Sequence, residues 1–423
     1  MISRRLLLKT AGAASLPLTG LSRVVFAAAP SAAQPILIVL HLRGGCDGLN
    51  FISPASDPDF IEARISELRV AADGPNAGYP LANGPVSNID FRLHPSAGGL
   101  NELYKGNHLA FVHAAGLTNQ TRSHFVATDM IERGVASDAD LARTPTGWIT
   151  RALQGKSASN GTVPAINGAV PAVAAAATVS GDLDGAPFAM AIPDLASGLA
   201  PAGGPQVASA LWQLYGGSGM VAGAGRTAMQ TMAGLDARLP RDDQGKVKAY
   251  QAENGANYDP AGDFARPLKT VAQLIKMEIG LSAVTLDYGA WDHHEYQSGR
   301  FKPQVERLSN GLAAFWNDMA AWHDRITLVT LTEFGRRLRN NRSNGTDHGR
   351  GGLMMVLGGK VAGGRVHGAW PGLKAEQLDE GVDLAVANDY RSVLGEILDR
   401  QHGVRNGAWF PNYKPTGNLG ILV

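Results

Sequence analysis

The chain is poor in cysteine and in charged residues, and both shortages limit what it can be. Cys46 is the single cysteine among 423 residues, so no disulfide can form within the chain. The fold must therefore rest on its hydrophobic core or on a bound ion. Charged residues make up 18% of the chain and apolar residues 44%, which excludes a disordered protein and allows a large core, in one α/β domain or two smaller ones.

A basic surface is also missing. The formal net charge is +1, but four basic residues lie within the first 29 positions, which contain no acid. Removing these four from the 38 basic residues leaves 34 against 37 acidic ones. Because binding to a nucleic-acid backbone needs a basic surface, we predict that the chain has no nucleic-acid partner.

No apolar run reaches the length of a membrane-spanning helix, so we expect no stable membrane span. The nearest is the stretch that follows SRRLLLK and ends at Ala29, and this segment resembles a twin-arginine export signal. We expect residues 1–29 to be a signal peptide, with the export machinery as its partner and a periplasmic or secreted, soluble product. A membrane anchor is the alternative, which Pro17 and Arg23 weaken.

Apolar runs of strand length alternate with helical patterns along the chain. Runs that suit strands buried on both faces begin near Pro35, His108, Leu281, Ile326 and Leu353. Between them, apolar residues recur at helical spacing, most clearly in the two stretches ARPLKTVAQLIKMEIG and VERLSNGLAAFWNDMAAWHD. This alternation predicts a three-layer α/β/α sandwich with a mainly parallel central sheet.

We expect residues 30–423 to form a single domain that carries one long insertion. The stretch from about Gly155 to Gly262 is rich in glycine, alanine and proline, and its periodicity is weak. We interpret it as an insertion or cap of short helices and as the region that determines specificity.

Two polar clusters follow predicted strands, where open α/β sheets usually bind ligands. The turn RGGCDGLN presents Asp47 after the first strand, and GAWDHHEY presents Asp292, His293 and His294 after a later one. Adjacent histidines point in different directions, so we expect His294 to join Asp292 at one ion. In the alternative interpretation, Asp47 is an ordinary turn residue and the second cluster is a solvated loop.

A third cluster lies between Leu331 and Gly359. Glu333 follows the apolar strand ITLVTLT, and Asp347 and His348 come just before a second apolar run. Carboxylates and imidazoles on strand ends are ligands for hard or borderline cations, so this tract predicts a metal site. The alternative is a salt bridge between Glu333 and Arg336 or Arg337.

A fourth cluster is TRSHF, which contains Arg122, Ser123 and His124 at the start of a predicted helix. There, backbone amides and the helix dipole favour an attacking or phosphorylated oxygen on Ser123. Serine is also a favoured N-cap residue, so the position has a structural explanation as well.

Together, these residues form an ordered series that resembles the alkaline phosphatase-like superfamily, which includes sulfatases and cofactor-independent phosphoglycerate mutases. The motifs GGCDGLN, RSHF, WDHH, TEFGRR and GTDHG are also similar to those of the bacterial domain-of-unknown-function family 1501, a set of exported proteins. The resemblance covers roughly residues 35 to 400. It implies an alkaline phosphatase-like fold and a site in which one ion activates a nucleophile and another holds the ester oxygen.

Under this resemblance, Asp47 matches the metal-binding aspartate of the first strand and Ser123 the nucleophile. Asp292 and His294 match the middle pair of metal ligands. Cys46 lies at the first-strand turn and not in the nucleophile loop, so we interpret it as a buried filler and not as a catalytic thiol.

The resemblance is incomplete at Glu333 and Phe334, which stand where the superfamily has an aspartate and a histidine. His348 matches the final histidine of the pattern. The missing imidazole implies a weaker site, a single ion, or replacement of the ligand by His124 or Asp347.

The resemblance implies hydrolysis of a phosphate or sulfate ester, with a small anionic substrate whose oxygens Arg122, Arg336 or Arg350 would neutralise. The predicted cofactor is one or two divalent ions, and the mixed ligands leave Zn, Mn, Fe, Ca and Mg open. The alternative function is an exported binding or assembly protein that keeps the fold and a structural metal without turnover.

Overall fold

The computed structural model describes residues 34–159, 170–187, 189–201, 203–403, 409–415 and 417–423. The expected signal peptide, residues 1–29, lies outside the described residues. Within these ranges, no helix combines the length and the apolar character that crossing a bilayer requires.

The central sheet is mixed but mainly parallel. In the described part of the chain, the strands are β1 (Ile36–Leu42), β2 (Ile52–Pro54), β3 (Tyr79–Pro80), β4 (Phe91–Leu93), β5 (Leu109–Gly116), β6 (Ala172–Ala174), β7 (Ala189–Ala191), β8 (Ala283–Tyr288), β9 (Ile326–Leu331), β10 (Gly352–Gly358), β11 (Arg365–His367) and β12 (Asn388–Asp389). The nine-stranded sheet has the order β11-β5-β10-β9-β1-β8-β6-β7, and β12 also pairs with β5. Only β10 runs antiparallel to its neighbours in this sheet, among the residues described. A small antiparallel sheet joins β2, β4 and β3.

Helices cover both faces of the central sheet. Over the same residues, the α-helices are α1 (Gly48–Phe51), α2 (Pro58–Ala63), α3 (Gly98–Lys105), α4 (His124–Arg133), α5 (Asp138–Arg143), α6 (Trp148–Ser159), α7 (Gly204–Leu214), α8 (Met220–Asp236), α9 (Ala265–Lys276), α10 (Gln297–Asp318) and α11 (Tyr390–His402). Apolar residues of α3, α9 and α10 form a core on one face, and those of α4, α6 and α11 form a core on the other.

Strand β1 shows why the sheet must be covered twice. Ile36, Ile38 and Leu40 pack into one core, while Leu37 and Val39 pack into the other. Successive side chains of a strand point to opposite faces, so a continuous apolar run needs a helical layer on each side. The predicted three-layer α/β/α sandwich is confirmed.

The segment from Gly155 to Gly262 also forms part of the central sheet. Its described part contributes β6 and β7 to the central sheet, beside β8, in addition to α7 and α8. Both strands are three residues long and mostly alanine. Strands this short carry no readable alternation, which explains why the sequence indicated helices alone here.

The sheet order brings the candidate residues together. Strands β9, β1 and β8 are adjacent and parallel, so their carboxyl ends lie side by side. Asp47 follows β1, Asp292 follows β8 and Glu333 follows β9. The loops after these strands therefore share one edge of the sheet, next to the start of α4.

Candidate metal centre

Two histidines and one aspartate converge at this edge. The Nε2 atoms of His294 and His348 are 2.9 Å apart. Each also lies close to Oδ1 of Asp292, at 3.0 Å from His294 and 3.1 Å from His348. Nε2 of His124 is 3.4 Å from the other oxygen of Asp292. We call these four residues the edge cluster.

The second ring nitrogen of each central histidine has its own partner. Nδ1 of His348 lies 2.9 Å from the carbonyl oxygen of Arg122, which can only accept, so Nδ1 carries the hydrogen. Nδ1 of His294 lies 3.1 Å from Oδ1 of Asp347, a carboxylate to which it donates. In the neutral rings, both Nε2 atoms are therefore unprotonated, and their lone pairs face each other and a carboxylate.

This arrangement fits a divalent ion. Unprotonated imidazole nitrogens and a carboxylate oxygen are the donors that zinc and related ions use. Ligands about 2.0–2.2 Å from a tetrahedral ion stand roughly 3.3 Å apart, close to the spacing within the edge cluster. His124, Asp292 and His348 each offer a ligand atom, and these atoms lie within 4.8 Å of one another.

The hydrogen bonds around the edge cluster also favour its ligand form. Burial is the main cause that lowers the pKa of His348, which keeps this ring neutral. Burial would raise the pKa of Asp292, but the hydrogen bond and charge of Arg336 lower it to about 2. Nη2 of Arg336 donates to Oδ1 of Asp292 at 2.6 Å. Asp292 is therefore anionic, and its side chain is 43% exposed.

Asp347 orients a histidine of the edge cluster. Its Oδ1 accepts from His294 and from Nδ2 of Asn341, the latter at 3.0 Å. The bond from Asn341 is the largest cause that lowers the pKa of Asp347. A carboxylate behind a ligating imidazole fixes the ring orientation and raises its basicity.

Phe334 packs against two histidines of the edge cluster. Its ring centroid is 4.5 Å from that of His348 and 4.9 Å from that of His124. Gly45 makes room for this ring, because a Cβ atom at Gly45 would lie 2.5 Å from it. His124 thus lies beside the position where the superfamily pattern has a histidine.

Glu333 binds the backbone of the turn after β1. Its carboxylate accepts from the amide of Gly44 at 2.9 and 3.0 Å and from that of Gly45 at 2.9 Å. Oε1 also lies 3.5 Å from Nδ1 of His124. The carboxylate therefore fixes the turn and faces the edge cluster only through His124, and neither of the arginines expected beside it is its partner.

Asp47 is enclosed by partners of its own. Arg64 donates to both of its oxygens, at 2.6 and 3.1 Å, and Nε2 of Gln297 donates at 2.7 Å. Its Oδ1 also accepts from the amide of Asn50, so Asp47 caps α1. Burial would raise the pKa of Asp47, but Arg64 lowers it below its ordinary value. The carboxylate of Asp47 therefore belongs to a buried ion pair and is not part of the edge cluster.

Ser123 occupies the N-cap position of α4, next to His124. Its side chain is exposed and makes no capping hydrogen bond, in contrast to Ser137, which caps α5 by accepting from the amide of Asp140. The hydroxyl is therefore free of the structural role that a serine at this position usually has.

The arginines expected to bind an anion already have partners. The guanidinium of Arg122 donates to Asp383 and Glu380. Arg336 is buried and binds the carbonyls of Gly45 and Thr346 in addition to Asp292. Arg350 is also buried and lies 3.0 Å from Asp379.

His293 points away from its neighbour His294. It is buried, and its ring lies against Trp291 and Phe301. Burial lowers the pKa of His293 to about 4, so the ring is neutral. The alternation of adjacent side chains thus places one histidine in the core and the other in the edge cluster.

A second group of histidine and carboxylates lies buried near the end of β1. Ligand atoms of His41, Glu132 and Asp182 lie within 4.8 Å of one another. Here every acid has a partner: Arg43 donates to Glu132 at 2.5 Å, and Nε2 of His41 lies 2.6 Å from Asp182. Asp182 also accepts from Trp148 and Ser180. We call His41, Arg43, Glu132 and Asp182 the buried ion-pair network.

Several of these partners were not anticipated from the sequence. Arg43, Arg64 and Arg336 each bind an acid that is distant in the chain, and the sequence did not indicate these pairings. Gly44 and Gly45 lie in the turn RGGCDGLN, where glycine permits a sharp bend. The repeated glycines were also a signal that the backbone itself approaches another group closely.

Comparisons with known proteins place the chain in a family and beside solved folds. The family described as protein of unknown function (DUF1501) matches residues 113–408, more than half of the chain. No curated protein matches the chain.

Three solved structures to which the chain is similar have low identity and low TM-scores. The C-terminal periplasmic domain of EcEptC from Escherichia coli, in complex with Zn, has a TM-score of 0.33 and 9% identity, covering 80% of this chain and 77% of that one. The PsFucS1 sulfatase from Pseudoalteromonas sp. has a TM-score of 0.35 and 10% identity, with 92% and 70% covered. A protein in the alkaline phosphatase superfamily from Vibrio parahaemolyticus has a TM-score of 0.29 and 9% identity, with 85% and 69% covered.

Proposed function

The chain belongs to the DUF1501 family, and we propose that it is an exported, metal-dependent hydrolase of phosphate or sulfate esters. One observation carries this proposal. The Nε2 atoms of His294 and His348 are 2.9 Å apart, both beside Oδ1 of Asp292, while both Nδ1 hydrogens are directed elsewhere. Such a set of facing lone pairs and negative charge is stable only around a cation or a proton.

In this proposal, Asp292, His294 and His348 hold a single divalent ion, and His124 is the fourth candidate ligand. A divalent ion supplies Lewis-acid polarisation of an ester oxygen. Asp347 orients His294, and the carbonyl of Arg122 orients His348. Glu333 and Asp47 act through the turn after β1 and through α1, because their oxygens are engaged there.

Ser123 is the proposed nucleophile. Its exposed hydroxyl lies at the start of α4, one residue before His124. Attack of its oxygen on the phosphorus or sulfur forms the new ester bond, the bond to the alcohol of the substrate breaks, and the serine proton passes through solvent to the departing alcohol oxygen. Water then hydrolyses the seryl ester and regenerates the hydroxyl. The positive end of the α4 dipole favours the negative charge that develops there.

The first test is metal content. Purified protein should contain close to one equivalent of a divalent metal, and chelation should remove it reversibly. Asp292→Asn and His348→Ala should each abolish this content, while Asp129→Asn, an exposed aspartate of α4, should leave it unchanged. Full metal content in both site variants would contradict the assignment of the edge cluster.

The second test is turnover of an aryl phosphate and an aryl sulfate by the metal-loaded protein. Ser123→Ala should lower kcat by at least about a hundredfold, because the covalent step is lost. Ser137→Ala, which removes the cap of the next helix, is the matched control and should retain activity. Equal rates in Ser123→Ala and in the unaltered protein would exclude the serine as nucleophile.

One observation favours a second candidate function, an exported binding or assembly protein with a structural metal. Arg122, Arg336 and Arg350 all bind acids or carbonyls of the chain, which leaves fewer of their donors for an anionic substrate. Bound metal without turnover of either ester, unchanged by Ser123→Ala, would support this candidate over the hydrolase.

Export is the remaining part of the proposal, and it rests on the arginine pair Arg4 and Arg5. A double substitution to lysine keeps the charge but alters the pair that the twin-arginine machinery reads. The altered protein should accumulate in the cytoplasm, as measured by cell fractionation. Unchanged delivery to the periplasm would contradict this route.

A further inference from the structure

Arg43 joins three elements at the edge of the central sheet. Its Nη2 donates to Glu132 on α4 at 2.5 Å, and its Nε donates to Asp287 on β8 at 2.8 Å. Its backbone amide donates to the carbonyl of Tyr288 at 3.1 Å, and its carbonyl accepts from the amide of Trp291 at 3.1 Å. One residue after β1 is thus bonded to α4, to β8 and to the loop that follows β8.

Each of these elements carries a residue of the edge cluster. Helix α4 begins with His124, eight residues before Glu132. The amide of Trp291, bonded to Arg43, belongs to the residue just before Asp292. His124 and Asp292, two candidate ligands on different elements, are therefore both linked to Arg43. The first is linked through α4 and the second through the loop that follows β8.

Gly44, the residue after Arg43, packs closely against the loop that follows β8. Gly44 has a φ of +116°, and a Cβ atom there would lie 2.6 Å from the backbone nitrogen of Asp292. Its amide also donates to Glu333, which lies against His124. Because these contacts are so close, a shift of the turn after β1 must also shift Asp292.

We infer that Arg43 is a positioning residue of the metal centre, which fixes His124 relative to Asp292 without contacting the ion. The guanidinium suits this task because its planar fork reaches two carboxylates at once, which an ammonium group cannot do with the same geometry. Glu132 is buried, so its bond to Arg43 is shielded from water and holds the end of α4 firmly. This inference rests on the metal site of the proposed function.

The test measures metal binding by the full-length protein after chelation, with Zn²⁺ for affinity and Co²⁺ for the visible spectrum. Arg43→Met should raise the Kd for Zn²⁺ at least tenfold and alter the Co²⁺ spectrum, and Arg43→Lys should lie between this variant and the unaltered protein. Glu132→Gln, which keeps the shape of the side chain, should weaken binding as well and serves if Arg43→Met does not fold.

Arg92→Met is the matched control, because Arg92 also binds an acid, Asp90, but in the small antiparallel sheet. Its Kd and Co²⁺ spectrum should equal those of the unaltered protein. If Arg43→Met and Glu132→Gln bind Zn²⁺ within twofold of the unaltered protein, with the same Co²⁺ spectrum, Arg43 serves stability alone and the inference fails. If the unaltered protein itself binds no metal, the proposed metal site fails, and this inference with it.

Discussion

The edge cluster and the buried ion-pair network contain the same kinds of side chain but are completed in different ways. Both bring histidine and carboxylate atoms within 4.8 Å of one another near the carboxyl ends of central strands. In the buried network, Arg43 and His41 each bind one carboxylate, so the acids are paired inside the chain. In the edge cluster, Arg336 is the guanidinium that binds Asp292, and the Nε2 atoms of His294 and His348 face the same oxygen.

The difference shows that ligand-type residues at short distance do not by themselves indicate a metal site. The decisive feature is whether the chain supplies its own cation or N–H donor for each lone pair. Where it does, the group is a structural ion-pair network. Where it does not, as in the edge cluster, we propose that a cation from outside the chain completes the group.

The largest expected effect comes from breaking the buried network at Asp182. This side chain is fully buried, so Asp182→Ala leaves His41 without its charged partner and should reduce the free energy of unfolding by about 3–5 kcal/mol. Urea denaturation measures the loss, with exposed Asp129→Ala as control. Metal content should stay unchanged, and a variant of full stability that loses its metal would reverse the comparison.

A second prediction concerns His348 in the edge cluster. His348→Ala should raise the Kd for Zn²⁺ at least about a hundredfold, which corresponds to about 2.7 kcal/mol, because one of three converging donors is lost. Isothermal titration of the chelated protein measures this change. His108→Ala, a half-buried histidine before β5, should bind Zn²⁺ as the unaltered protein does. Equal affinity in His348→Ala would show that the edge cluster, like the buried ion-pair network, is not a metal site.

A third prediction concerns Glu333, which lies next to the edge cluster without belonging to it. Because its oxygens accept from the amides of Gly44 and Gly45, Glu333→Gln should mainly weaken the turn, by about 1–2 kcal/mol of unfolding free energy. The Kd for Zn²⁺ should change less than about threefold. A loss of affinity as large as that in His348→Ala, without any loss of unfolding free energy, would show that Glu333 is itself a ligand.

The smallest expected effect is the pH dependence of the buried network. Burial alone would lower the pKa of His41, but the charge of Asp182 outweighs it and raises this pKa above its ordinary value. The stabilisation is therefore complete below about pH 6.5, the unfolded value, and is lost as pH rises through the higher folded pKa.

The corresponding measurement is the melting temperature of the unaltered protein and of His41→Gln. The gap between the two should be largest near pH 6 and should shrink by about 1–2 °C towards pH 9. A gap that widens with pH would mean that His41 is neutral in the network and that Arg43 alone balances the two acids.

Much of the fold could be predicted from the sequence because long apolar strands leave a clear pattern. Strands β1, β5, β8, β9 and β10 coincide with the apolar runs, and their alternation with helices predicted the layers. Strands β6 and β7 could not be predicted, because three alanine-rich residues are recognisable as a strand only once β8 lies beside them.

The candidate site was predictable in location but not in pairing. His294 follows β8, and His348 comes just before the antiparallel strand β10, whose start lies at the same edge of the sheet. Asp47 obeyed the same logic, yet Arg64, seventeen positions later, takes both of its oxygens. Nothing in the local sequence distinguishes an aspartate that has such a partner from one that lacks it.

The sequence by itself determined which residues follow which strands, because apolar periodicity and turn residues are local properties of the chain. Only the tertiary structure decided which acids are paired internally and which face histidine Nε2 atoms. The physical reason is that pairing depends on distances between residues far apart in the chain, such as His348 and the carbonyl of Arg122, 226 positions away. That one hydrogen bond fixes the ring tautomer, and with it the direction of the lone pair offered to an ion.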